Sequence, residues 1–204
     1  MIGIINYGLG NIAAFSHVYK HLDIPYKVCT MDDDLRGVER FVLPGVGSFD
    51  YAVSLFEGSG MKEPLIEQVI FKGKPVLGIC VGMQLLASTS EEGRKPGLSW
   101  IEGNVKLFQR HELPENAPLP HMGWNHVLPF NNHPLFRDTE PNARYYFLHS
   151  YYYEPDSDEH SIAKAKYGFE YTCSINKDNI YGVQFHPEKS HQNGVQILKN
   201  FATI

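Results

Sequence analysis

The chain has 204 residues, an apolar fraction of 43%, a net charge of −5 and three cysteines. That length fits one domain spanning residues 1–204, with a core large enough to need neither disulfides nor a structural metal. An acidic balance without a Lys/Arg cluster argues against nucleic acid as the main partner, no apolar run reaches the length of a membrane span, and three irregularly spaced cysteines without a signal peptide make the cytoplasm the expected compartment.

Ile2 to Asn6 forms a short apolar strand pattern, after which Tyr7-Gly8-Leu9-Gly10-Asn11 turns into a helix carrying Ile12, Phe15, Val18, Tyr19 and Leu22 at helical spacing. The two glycines of that turn lack the third glycine of a dinucleotide fingerprint, so no nucleotide cofactor is assigned to it. Tyr26 to Cys29 and Arg40 to Leu43 are the next strands. Beyond a glycine-rich loop, Asp50 to Phe56 and Glu63 to Phe71 are helical, and Pro75 to Ile79 is the strand that leads into Cys80. This alternation predicts a parallel sheet covered by helices on both faces, with its chemistry at the carboxyl ends of the strands.

The second half changes character. Trp100 to Phe108, His126 to Phe130, Tyr145 to Tyr153, Ile162 to Tyr167, Tyr171 to Ile175 and Ile180 to Phe185 are predicted strands, separated by turns such as Asn131-Asn132-His133-Pro134 and Asn176-Lys177-Asp178-Asn179. Val195, Leu198 and Phe201 mark one face of a closing helix. The fold class is α/β, a central and largely parallel sheet flanked by helices, with additional antiparallel strands in the second half. Tyr145, Tyr146, Phe147, Tyr151, Tyr152 and Tyr153 crowd one segment, which fits either a partner-facing surface or ordinary strand packing.

Cys80 closes the run Lys74-Pro75-Val76-Leu77-Gly78-Ile79-Cys80-Val81-Gly82-Met83-Gln84, with a glycine two residues away on each side. This is the form of a nucleophile elbow with cysteine in place of serine. The glycines are required because a Cβ there would collide with neighbouring backbone. A thiol at the first turn of a helix feels the positive end of the peptide dipoles, which favours the nucleophilic thiolate. Cys29 and Cys173 have no such surroundings and are expected in the core.

His186 and Glu188 flank Pro187 directly after the last predicted strand. Residues two apart in extended chain point to the same side, and the proline drives the preceding histidine toward extended geometry. A carboxylate on one ring nitrogen sets the tautomer and stabilises the imidazolium, leaving the other nitrogen to exchange a proton with Cys80. The three side chains compose a Cys-His-Glu triad. The ten histidines show no metal-ligand spacing, so no metal is assigned.

These residues and their flanking motifs resemble the class I (triad) glutamine amidotransferase family, and within it the glutaminase subunits that supply a cyclase making imidazole glycerol phosphate. The motifs are N-Y-G-L-G-N-I at Asn6 to Ile12, P-G-V-G-S-F at Pro44 to Phe49, G-I-C-V-G-M-Q at Gly78 to Gln84, P-H-M-G-W-N at Pro120 to Asn125, Y-F-L-H-S-Y at Tyr146 to Tyr151, and F-H-P-E-K-S at Phe185 to Ser190. The resemblance implies that family's fold and hydrolysis of L-glutamine to glutamate and ammonia through a cysteine thioester, without cofactor. It implies an oxyanion hole from the backbone of Val81 and of Val46 and Gly47, the Val46 peptide turning inward in the active state. Contacts to glutamine are implied for Gly45, Gln84, Glu92, and the backbone of Ser150 and Tyr151, with Glu91 as the alternative to Glu92. The implied partner is a cyclase subunit with a (β/α)8 barrel in a heterodimer serving histidine biosynthesis. Tyr7, Gly8, Gly10, Asn11 and the block His121, Met122, Gly123, Trp124 and Asn125 are expected to lie toward it. Three alternatives stay open on the residues: a paralogue supplying ammonia to a surface-polysaccharide sugar amidotransferase, a silent protein-binding scaffold, and a cysteine hydrolase or esterase working alone.

Overall fold

Strand and helix alternate through the first half in a computed structural model that describes residues 1–204. In order come β1 (Ile2–Ile5), α1 (Ile12–His21), β2 (Tyr26–Cys29), β3 (Arg40–Gly45), α2 (Phe49–Gly58), α3 (Lys62–Ile66), β4 (Val76–Cys80) and α4 (Val81–Gln84). Every residue of β1 and β4 is buried, as expected of parallel strands covered on both faces. α1 begins where the Asn11 side chain accepts the Ala14 N–H, and it turns Phe15 and Tyr19 into the core.

The second half comprises β5 (Thr89–Ser90), β6 (Gly103–Leu107), β7 (His121–His126), β8 (Leu128–Pro129), β9 (Arg144–His149), β10 (Tyr151–Pro155), β11 (Ser161–Tyr167), β12 (Phe169–Lys177), β13 (Ile180–Val183) and α5 (His191–Phe201). β13 returns to lie parallel beside β4, so the main sheet runs β2-β1-β3-β4-β13-β12-β10-β6-β5, with β11 and β8 branching from β12. The pairs from β2 through β13 are parallel, and β12 introduces the antiparallel part. β7 and β9 form a separate antiparallel ribbon.

Several predicted elements are placed differently. The single strand expected over Tyr145 to Tyr153 breaks at Ser150 into β9 and β10, which belong to different sheets. The His149 imidazole bonds back to the Tyr151 carbonyl at 2.7 Å across the break. The strand expected over His126 to Phe130 is only Leu128–Pro129, whereas the preceding block His121–His126 is a full strand that the apolar pattern missed. Trp100 and Ile101 lie outside β6 because their N–H groups bond to the Leu86 carbonyl. The helix expected over Glu63 to Phe71 widens after α3 into a turn in which Lys72 N–H donates to Glu67, five residues back. On α5 the buried side is Gly194, Ile197, Leu198, Asn200 and Phe201, and Val195 is only half-buried.

Cys29 and Cys173 are fully buried, as expected. Of the aromatic run, Tyr145, Phe147 and Tyr153 are sealed in the core and Tyr146, Tyr151 and Tyr152 are half-buried, so strand packing accounts for most of it.

Register fixes the location of the chemistry. Gly45 lies opposite Cys80 across β3 and β4, and Val183 lies opposite Ile79 across β4 and β13. His186 therefore emerges three residues beyond β13 beside Cys80, at the carboxyl edge of three adjacent parallel strands.

Candidate active site

The turn at Cys80 is as sharp as an elbow requires. Its backbone sits at φ 56° and ψ −114°, outside the comfortable regions for an L-residue. The flanking glycines permit this: a Cβ on Gly82 would lie 1.9 Å from the Leu43 carbonyl oxygen, and one on Gly78 would lie 2.5 Å from the Gly82 carbonyl oxygen. The sulfur sits 4.0 Å from the Leu148 carbonyl and 3.8 Å from Nε2 of Gln184. Gln184 is an uncharged polar residue, fully buried between β13 and His186.

His186 and Glu188 stand side by side as their spacing predicts, with Nδ1 2.9 Å from Glu188 Oε1. Both side chains are almost completely enclosed. Burial by itself pushes the His186 imidazolium down, but the Cys80 sulfur and the Glu188 carboxylate outweigh it and raise the pKa to about 10. The second carboxylate oxygen of Glu188 is buried without a partner, so its one hydrogen bond is spent on the imidazole. Ser190 fastens this loop by accepting the Tyr146 N–H at 2.9 Å and donating to the His186 carbonyl at 2.6 Å.

Cys80 and His186 line one cleft of about 270 Å³ together with Val46, Gly47, Val81, Gln84, Glu92, Ser150 and Tyr151. Every residue predicted for the triad, oxyanion hole and glutamine contacts is on this wall except Gly45 and Glu188. Glu188 stands behind His186. Gly45 lies under the cleft, where a Cβ would come within 2.5 Å of the Gly82 nitrogen. Val81 is the first residue of α4, a position whose N–H has no partner in the helix. Gly47 has φ 91°. Pro120, Leu148, His149 and Lys189 also line the cleft and were not among the predicted residues.

The polar wall is ordered. Gln84 donates from Nε2 to the Tyr151 carbonyl at 3.3 Å and to Gln184 Oε1 at 3.0 Å, which leaves its own oxygen for a cationic ligand group. The half-buried Glu92 accepts the Phe49 N–H at 2.8 Å, and burial raises its pKa. Glu91 is exposed, away from the cleft, and accepts the Leu107 N–H. The Ser150 carbonyl accepts the Phe108 N–H at 3.1 Å, while its own N–H has no acceptor in the chain.

The residues expected toward a partner divide. Gly8, Asn11, Met122 and Trp124 are exposed, and Gly10, Gly123 and Asn125 are half-buried. Tyr7 and His121 are buried instead, the former with its hydroxyl beside Gly45 and the latter stacked on the ring of Tyr167 at 4.0 Å.

The model of the family described as glutamine amidotransferase class-I matches residues 4–204. The chain is 50% identical to imidazole glycerol phosphate synthase subunit HisH of Bdellovibrio bacteriovorus and 47% identical to the subunit of the same name in Leptospira borgpetersenii, in both cases over all of this chain and all of the relative. Among solved structures, a glutamine amidotransferase crystal structure superposes with a TM-score of 0.75 at 15% identity, covering 100% of this chain and 99% of that one. A glutamine amidotransferase from Thermotoga maritima gives 0.64 at 16% identity, with 97% and 80% covered. At those identities the structures share the fold.

Proposed function

We propose that this chain, which belongs to the glutamine amidotransferase class-I family, is the glutaminase subunit of an imidazole glycerol phosphate synthase. In that role it serves histidine biosynthesis by releasing ammonia from L-glutamine for a cyclase partner. The observation that carries the mechanism is the convergence, at one cleft, of an elbow cysteine and a histidine oriented by a buried carboxylate.

Glutamine enters with its ammonium group toward Glu92 and the free oxygen of Gln84, and its carboxylate toward the Ser150 N–H. The Cys80 thiolate attacks the side-chain amide carbon, and the carbonyl electrons move onto oxygen. The Val81 N–H and an N–H of the Val46-Gly47 turn hold that oxyanion. As the C–N bond breaks, the His186 imidazolium gives its proton to the departing nitrogen, leaving ammonia and a γ-glutamyl thioester. Neutral His186 then takes a proton from water, whose oxygen attacks the thioester. Glutamate departs, and the thiolate is restored beside an imidazolium that Glu188 stabilises throughout.

The partner is assigned as a (β/α)8-barrel cyclase forming a heterodimer in the cytoplasm. What supports the docking face is the exposed apolar side chains on and beside the cleft: Val46 at 39% and Leu148 at 38% line it, Met122 at 60% is paired with Leu148 across β7 and β9, and Trp124 at 37% lies farther along β7. Glutamate release is measured for the isolated chain and for its mixture with the cyclase, in wild type and Cys80→Ser. The expected result is slow turnover in isolation, a large rise on mixing, and loss of both in the variant. Turnover of glutamine that survives Cys80→Ser overturns the thioester mechanism, and a wild type that gains nothing from the cyclase overturns the partner.

A further inference from the structure

From His149 on the cleft wall a buried polar cluster runs inward that the mechanism above does not use. His149 Nδ1 faces the Tyr151 carbonyl at 2.7 Å. Its Nε2 faces His121 Nδ1 at 3.1 Å and the Tyr171 hydroxyl at 3.2 Å. His121 Nε2 in turn faces the Asn125 amide nitrogen at 3.3 Å. The rings of Phe147 and Tyr167 stack on His121, and Phe108 packs against His149.

The protons in this cluster can be placed from its two ends. A carbonyl only accepts, so His149 carries its hydrogen on Nδ1 and offers Nε2 as an acceptor. At the far end Asn125 cannot flip: its nitrogen donates to the Lys166 carbonyl at 2.8 Å and its oxygen accepts the His126 N–H at 2.8 Å. The remaining amide hydrogen points at His121 Nε2, which must accept, so His121 carries its hydrogen on Nδ1 and donates to His149. The Tyr171 hydroxyl is 3.3 Å from His121 Nδ1 and 3.2 Å from His149 Nε2, so its oxygen faces that N–H while its hydrogen shares the single Nε2 lone pair with it. All donors run one way, from β7 through the core to the Tyr151 carbonyl. A second proton on either imidazole would set N–H against N–H. In agreement, burial pushes His149 down to about 3, reinforced by His121 and His186 and opposed by the Tyr151 carbonyl, and burial pushes His121 down to about 4.

The end of this chain is the site itself. The Tyr151 carbonyl also accepts from Gln84, whose second amide hydrogen goes to Gln184, the residue beside the Cys80 sulfur. We propose that His149 is a positioning residue for glutamine, held as the neutral Nδ1–H tautomer by the chain from Asn125 through His121, and that it fixes the Tyr151 carbonyl and the Gln84 amide that face the substrate. The role rests on the glutaminase reading above.

The test uses the subunit in complex with its cyclase, with glutamate release as the rate assay and 15N-histidine NMR as an independent readout. His149→Leu removes the donor, and KM for glutamine is expected to rise roughly five- to tenfold with kcat within about threefold, the mark of lost ground-state binding. His149→Asn returns an amide N–H near the same place and is expected to recover most of that loss. In wild type, His149 should show a protonated Nδ1 and no titration between about pH 5 and 8. An Nε2–H signal from His149, or titration in that range, overturns the chain. An Nδ1–H signal beside an unchanged KM in His149→Leu overturns the role. A wild-type complex that releases no glutamate overturns the glutaminase reading itself, while the NMR still decides how the protons are placed.

Discussion

Glu188→Gln separates the orienting function of the carboxylate from any contribution it makes to folding. The side chain is 2% exposed, Oε1 is 2.9 Å from His186 Nδ1, and Oε2 is buried without a partner. Glutamine has nearly the same shape and still offers an oxygen to the Nδ1–H, so what is lost is charge. A hydrogen bond to a charged partner contributes about 1.5–3 kcal/mol where a neutral one contributes about 1. Because the charge acts on the imidazolium that protonates the departing nitrogen, the loss falls on the chemical step. That difference is about 0.5–2 kcal/mol, and at about 1.36 kcal/mol per decade it corresponds to roughly a two- to thirtyfold fall in kcat. Stability should fall as well, by about 1–3 kcal/mol, because the buried imidazolium keeps only the Cys80 sulfur as a charged partner and the new amide NH2 takes the place of Oε2, which has none. With that attraction gone, the His186 pKa should fall from about 10, bringing the alkaline limb of the rate profile to lower pH. Glutamate release is measured against pH for the complex, and the thermal midpoint is taken on the same samples. A kcat equal to that of wild type, or a midpoint collapse that accounts for the lost rate, refutes the orienting role.

Gly82→Ala should cost both activity and stability, because its Cβ would stand 1.9 Å from the Leu43 carbonyl and β3 or α4 must move by about an ångström to admit it. A shift of that size misplaces Cys80 enough to lower kcat/KM by about a hundredfold, and overpacking should destabilise by about 1–3 kcal/mol, both read from kinetics and denaturant unfolding. Glu92→Gln should raise KM for glutamine roughly ten- to hundredfold while Glu91→Gln stays within about threefold, since only Glu92 lines the cleft. The contribution of His186 to stability has a definite sign: its folded pKa lies above the unfolded value, so that contribution is complete below about pH 6.5 and is lost as pH rises through about 10. Unfolding of wild type and His186→Asn across that range should show the difference narrowing with pH, and a gap that widens refutes the assignment.

What could be seen in the sequence was what depends on neighbours along the chain. The elbow needs small residues two positions either side of Cys80, and the His-Pro-Glu turn needs two side chains on one side of an extended segment. Both requirements are written in adjacent residues. Gln184 and His149 escaped because their partners are distant: Gln84 is 100 positions from Gln184, and His121 is 28 from His149. The break at Ser150 escaped because Tyr145 to Tyr153 carries strong strand formers with neither glycine nor proline to interrupt them. It occurs because β9 pairs with β7 while β10 pairs with β6, and no local preference encodes that choice.

β7 was missed for a different reason, and that reason bears on function. Its alternation is inverted: His121 is buried, while Met122 and Trp124 face outward opposite Leu148 and Tyr146 of β9. A rule that turns apolar residues inward finds no strand there. The inversion has a cost on each side of the ribbon, since apolar area is left in water and imidazoles are desolvated. The inner cost is offset by the donor chain, in which each ring nitrogen of His121 and His149 has a partner. On the outer side Trp124 stacks on His191 within the chain, with ring centroids 5.0 Å apart, whereas Met122 and Leu148 stay 60% and 38% exposed, and Leu148 also lines the cleft. One ribbon therefore lies between the side chains proposed to meet the cyclase on its outside and the histidine chain proposed to hold the glutamine wall on its inside, with Asn125 and His121 between them.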